Sequence, residues 1–223
     1  MRKTVMARAL LALAAAALIV AGPAAQNKDI PGEATRLLKE LNVSAGGTVA
    51  DIGAGGGEMT VEVARQLGPK GRLYSTDINP KTVESLKALV AKERLENVIV
   101  LQGDAERTNL PDGCCDGAFA RYVYHHFAQP APMNASIRRA LKAGGRFAVM
   151  DAAPKAAPHG GVAPDKRSAG DTHGVASEDV IAELTAAGFV DVHVTPDWPG
   201  GLFLVRGTSP RSADGIGRGT GRW

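Results

Sequence analysis

Between Val49 and Thr60 the chain reads VADIGAGGGEMT, and no other stretch limits the fold so closely. An apolar, β-branched approach through Thr48, Val49 and Ile52 ends in a glycine cluster. Met59, Val63 and Leu67 then recur at a spacing that puts them on one helix face. The pattern predicts a strand, a tight turn and a helix, the opening of a βαβ unit. Gly53, Gly55 and Gly57 let the backbone turn sharply and let a ligand approach it closely.

The alternation continues downstream. Helical spacing over Glu33 to Leu41 precedes the first strand, Thr48 to Ile52, and the helix after the glycines stops at Gly68-Pro69. Strands follow at Arg72 to Thr76, Asn97 to Leu101, Gly117 to Val123 and Arg146 to Asp151. Asn79-Pro80 opens an intervening helix, and Met133, Ile137 and Leu141 mark another. Ser177 caps a further helix, and strands at Val190 to Val194 and Leu202 to Val205 close the fold. The expectation is an α/β, Rossmann-like, doubly wound and mostly parallel seven-stranded sheet with helices on both faces. In such sheets ligands bind outside the carboxyl ends of the strands. Asp51, Asp77, Asp104, His125 and Asp151 all fall at or just beyond such ends.

Charge separates the N-terminus from the rest. Arg2, Lys3 and Arg8 account for the whole formal excess of +3, and no acid lies among the first 25 residues. They precede an apolar run from Ala9 to Ala21, the shape of a signal peptide and short for a membrane span. This divides the chain into a signal over residues 1–25, a domain over 26–206, and a Gly-, Ser- and Arg-rich disordered tail over 207–223. The mature chain is expected to be exported and to keep no stable membrane span; an uncleaved anchor is the alternative. Its balanced charge and an aromatic content of only 4% argue against a nucleic-acid surface.

Cys114 and Cys115, the only cysteines, are adjacent and are expected as small apolar residues rather than a disulfide. No metal site is expected, because adjacent His125 and His126 on extended backbone would diverge. Residues 152–176 lack periodicity and are rich in Ala, Gly and Pro. They are either a substrate lid, with His173 or Asp171 reaching the acceptor, or a tolerated surface insertion.

Taken together, Asp51-x-Gly53-x-Gly55-x-Gly57, TDINP, QGDAERTNLP, RYVYHHF and LKAGGRFAVMD resemble the class I S-adenosylmethionine-dependent methyltransferases. Within them the chain looks most like small-molecule enzymes related to quinone-biosynthesis C-methyltransferases. The resemblance spans about residues 33–206. It implies S-adenosylmethionine as cofactor and a small-molecule methyl acceptor. It also implies cofactor contact from Asp51, Gly53, Gly55, Gly57, Asp77, Ile78, Asp104, Ala105 and Arg121. His125 or His126 stands where a base could act, with packing as the alternative role. The Asn-Pro-Pro-Tyr motif of nucleic-acid amino methylases is absent after the fourth strand. Two other functions compete. A nicotinamide-dependent oxidoreductase would need a third glycine where Glu58 stands, and a non-catalytic protein could retain the pocket.

Overall fold

The structure is a computed structural model that describes residues 29–155, 162–168 and 173–211. The expected signal, most of the expected tail and Asp171 lie outside the described residues. Among the described residues, no helix is long and apolar enough to cross a membrane.

Twelve main elements alternate along the described chain: α1 (Ile30–Leu41), β1 (Thr48–Ile52), α2 (Glu58–Leu67), β2 (Arg72–Asp77), α3 (Pro80–Lys92), β3 (Val98–Gln102), β4 (Cys115–Arg121), α4 (Pro130–Ala140), β5 (Leu141–Asp151), α5 (Ser177–Ala186), β6 (Val190–Trp198) and β7 (Leu202–Thr208). The strands form one seven-stranded sheet in the order β3-β2-β1-β4-β5-β7-β6. All pairings from β3 across to β5 are parallel, whereas β7 runs antiparallel to both neighbours. Strand order reverses between β1 and β4, which opens a crevice at their carboxyl ends.

Period-two alternation builds a core on each face. Ala50, Ile52, Ala118, Ala120, Phe147 and Val149 pack with Met133 and Ile137 of α4 and with Val180 and Leu184 of α5. The intervening Val49, Phe119, Ala148 and Met150 pack with Leu37 and Leu41 of α1 and with Met59, Val63 and Leu67 of α2. Burial on both sides is why these strands read as near-continuous apolar runs.

Several sequence expectations need correction. The first helix starts at Ile30, three residues before the Glu33 that the spacing predicts, and Pro31 sits in its first turn, where Asp29 accepts the Gly32 N–H at 2.9 Å. A proline costs no helical hydrogen bond at that place. Leu141 begins β5 instead of ending α4, and the strand runs through Gly144-Gly145 to pair with β7. Ala176 rather than Ser177 is the residue before α5. The domain also passes the expected boundary at residue 206. Gly207 and Thr208 belong to β7, and Ser209 donates its N–H to Gly145 O. Cys114 and Cys115 are joined to each other as a vicinal disulfide at the start of β4. Neighbouring cysteines seldom bond, so their adjacency in the sequence does not reveal the pair.

Candidate functional site

The crevice is a cavity lined by Gly53 after β1, Asp77 and Ile78 after β2, Gly103 to Ala105 after β3, and Val123, His126 and Phe127 after β4. Met133 closes it from α4. Five residues expected to touch a cofactor therefore share one cavity: Gly53, Asp77, Ile78, Asp104 and Ala105.

Its floor is the glycine turn. Gly53 has φ +69°, and a Cβ there would come within 2.5 Å of Val123 Cγ2. Gly57, also left-handed, leaves no room for a Cβ beside Leu89 and Leu86. The Gly53 and Ala54 N–H groups donate to Thr76 O, and Gly55 N–H donates to Asp77 Oδ2 at 3.1 Å. Asp77 Oδ1 accepts the Asn79 N–H at 2.9 Å, so one carboxylate ties both loops to the end of β2. Gly55 and Gly57 shape this turn without lining the cavity.

Asp104 combines the two roles open to it. It lines the cavity, and its Oδ1 also accepts the Glu106 N–H at 2.9 Å within the loop. That bond, opposed by desolvation and helped by Arg107, holds its carboxyl below the ordinary value.

Asp51 and Arg121 do not line the cavity. Asp51 shares the strand face of Val49, against which α2 packs, so its buried carboxylate accepts the Thr60 hydroxyl at 2.7 Å. Arg121 shares the face of Phe119. Its Nε and Nη2 donate to the two oxygens of Glu33 on α1, at 2.8 and 2.9 Å. Trp198 Nε1 donates to the same carboxylate at 3.1 Å. These two side chains brace the elements behind the cavity.

Burial pushes the Asp51 carboxyl up to about 7, against the opposing pull of the Thr60 hydroxyl and the Arg121 charge. Between about pH 4 and 7 the folded chain then holds a proton that the unfolded chain has lost. Asp51 thus lowers stability progressively as pH rises through that window. Asp51→Asn removes the titration and keeps an acceptor for Thr60. Denaturation midpoints of the variant are expected to gain on those of the parent chain from pH 4 to 7, as order-of-magnitude bounds of the window. A constant difference across that range would rule the account out.

The histidines occupy a 3₁₀ turn, Tyr124–His126, rather than extended backbone. His125 is buried. Its Nδ1 lies 2.8 and 3.0 Å from the oxygens of Asp151, and its backbone N–H donates to the same carboxylate at 3.1 Å. His126 is exposed and reaches the cavity. His173 stands beside both, with ring centroids 4.3 Å from His125 and 5.8 Å from His126. Behind the turn, Tyr124 donates its hydroxyl to Glu183 at 2.9 Å and accepts from Asn134 at 2.7 Å.

The described residues of the long segment after β5 are held more firmly than its composition suggests. Arg167 is buried and pairs with Glu183 at 2.8 Å and with Asp179 at 3.4 Å. Val162 and Val175 are buried, and the Val175 N–H donates to Ala152 O. Free opening of these described residues does not fit such anchors. Arg167 gave no signal in the sequence, because its partners lie on a later helix.

Residues 50–149 match the family described as the methyltransferase domain. Over 117 residues the chain is 32% identical to the ubiquinone/menaquinone biosynthesis C-methyltransferase UbiE of Burkholderia mallei (strain SAVP1). That alignment covers 51% of this chain and 46% of the relative, so the chain spans under half of the relative's length. Among solved structures, a SAM-dependent methyltransferase from Aquifex aeolicus superposes with a TM-score of 0.64 at 25% identity. The match covers 78% of this chain and 88% of that one. Phosphoethanolamine N-methyltransferase 2 of Haemonchus contortus, solved with S-adenosyl-L-methionine, gives a TM-score of 0.65 at 15% identity. It covers 81% of this chain and 53% of the other, and shows likeness of fold.

Proposed function

We propose, on the premise that this chain carries a class I S-adenosylmethionine-dependent methyltransferase domain, that it transfers a methyl group from that cofactor to a small molecule. The observation that supports this most is the cavity at the strand ends, with Asp77 and Asp104 at separate points of its wall. Its residues fit the cofactor's adenosine: carboxylates for hydroxyl and amine donors, and an apolar wall from Ile78, Val123, Phe127 and Met133.

Asp77 would hold the ribose hydroxyls, Asp104 with the Ala105 backbone the adenine edge, and Gly53 the close approach of the chain to the ligand. The bound cofactor supplies a methyl group already activated by its sulfonium. The protein's share is alignment for in-line transfer and exclusion of water. His126 lines the cavity and would be the side chain to accept a proton from an acceptor that must lose one. His125 is buried and does not line the cavity, so its part would be to support the turn that carries His126.

Isothermal titration of the full chain with S-adenosylmethionine, S-adenosylhomocysteine and NAD tests the reading. Both adenosyl compounds should bind at one site, and NAD should not. Saturable NAD binding with neither adenosyl compound bound would falsify it. Export of the chain is part of the same reading and rests on Arg2, Lys3, Arg8 and the short apolar run. N-terminal sequencing checks it, since soluble cytoplasmic protein with Met1 intact contradicts export.

A further inference from the structure

We propose that His125, His126 and His173 form a binding site for a divalent cation of the zinc class. One ring nitrogen from each histidine can be chosen so that all three lie within 4.8 Å of one another. His125 has only one nitrogen to offer. Its Nδ1 is committed to Asp151, and its Nε2 is buried without a hydrogen-bond partner.

A buried ring nitrogen left unpaired costs free energy, and a metal ion is a partner that would remove the cost. The carboxylate behind it is what an imidazole ligand needs. Asp151 fixes the tautomer with hydrogen on Nδ1, turns the ring, and makes Nε2 a better donor of its lone pair. Asp151 is itself fully buried at the end of β5, and it also accepts the backbone N–H of His125. The first ligand is therefore pre-oriented.

The other two ligands can adjust. Zinc–nitrogen bonds of about 2.0–2.1 Å in tetrahedral geometry bring the nitrogens closer than the observed limit. His126 and His173 are exposed, so rotation about their side-chain bonds can close that gap without disturbing the core. The 3₁₀ turn is what makes neighbouring histidines usable together. Their ring centroids are 4.1 Å apart, where an extended strand would send them to opposite faces. Nitrogen-only ligation suits zinc, copper or nickel better than magnesium or calcium.

Three protein ligands leave a tetrahedral ion one position for water or substrate. His126 belongs to both the cluster and the cavity wall, so the ion would border the cavity. An acceptor oxygen or sulfur bound there would lose its proton more easily at neutral pH and would release it to water, because His126 as a ligand has no lone pair left to take it. That use rests on the methyltransferase reading; the ion site itself does not.

The test is titration of untagged, chelator-treated full chain with Zn²⁺ alone, by calorimetry and by competition with a chromophoric chelator. One ion per chain should bind. His173→Ala removes an exposed ligand, so the fold should persist while affinity falls by about 100-fold or more, beyond the cost of altering an outer partner. Asp151→Asn should cost about 10–100-fold. His193→Ala, which changes an exposed histidine outside the cluster, should cost nothing. No saturable uptake, or equal affinity in the parent chain and His173→Ala, overturns the site. Titration of the same preparation with S-adenosylhomocysteine keeps the two readings apart. Zinc uptake without nucleoside binding counts against methyl transfer alone, and the reverse counts against the ion site alone.

Discussion

Glu33→Ala is expected to destabilise the folded chain by about 3–5 kcal/mol, the cost of breaking a buried ion pair from one side. Glu33 is buried, and its two oxygens receive the Arg121 guanidinium as a bidentate pair. The Arg121 side chain retains only 13% exposure, so alanine at 33 leaves a nearly buried cation without a counter-charge. Trp198 Nε1 loses its acceptor at the same time. The pair joins α1 to the end of β4, and Trp198 brings in β6, so three distant segments depend on one carboxylate. Urea denaturation followed by tryptophan fluorescence and circular dichroism measures the loss. Glu33→Gln should lose less, because it keeps the shape and an acceptor. Replacing both partners with apolar residues, Glu33→Leu with Arg121→Met, should recover much of the stability, since the pair's worth is largely offset by its desolvation. A loss under about 1 kcal/mol in Glu33→Ala would mean that water reaches Arg121 freely.

Asp77→Ala is expected to weaken S-adenosylhomocysteine binding by roughly 1.5–3 kcal/mol, or about 10- to 150-fold in Kd. The carboxylate faces the cavity and also receives the Gly55 and Asn79 N–H groups. Its removal therefore deletes acceptors for the ligand and releases the turn that the ligand must approach. Stability should change little, because Asp77 lies at a strand end and is only half-buried. Asp77→Asn keeps one acceptor oxygen and should fall between the parent and the alanine variant. Calorimetry on all three gives the order directly. An unchanged Kd in Asp77→Ala removes this residue from the site.

What the amino-acid order determined is whatever depends on local period and on glycine. Short, mostly apolar runs through Val49 to Ile52 and Gly117 to Ala120, with breaks at Gly53 and Gly68-Pro69, are enough to specify buried parallel strands and the turns between them. The strand-end positions of Asp77 and Asp104 follow from the same rhythm, and both line the cavity. The direction in which a strand-end side chain turns is another matter. Asp51 and Arg121 were expected at the ligand, yet each shares a face with a core residue, and Thr60 and Glu33 draw them to that side. Arg121 and Glu33 are 88 positions apart, a separation at which local spacing carries no information. The histidine cluster depends on tertiary structure for the same reason. Adjacent His125 and His126 are visible in the sequence, but the 3₁₀ turn is what points them together, and the chain just after His173 is tied down by the Gly174 N–H to Arg167 O and the Val175 N–H to Ala152 O. Such contacts are decided by packing between segments, where burial of Asp151 and Arg167 forces each charge to find its partner.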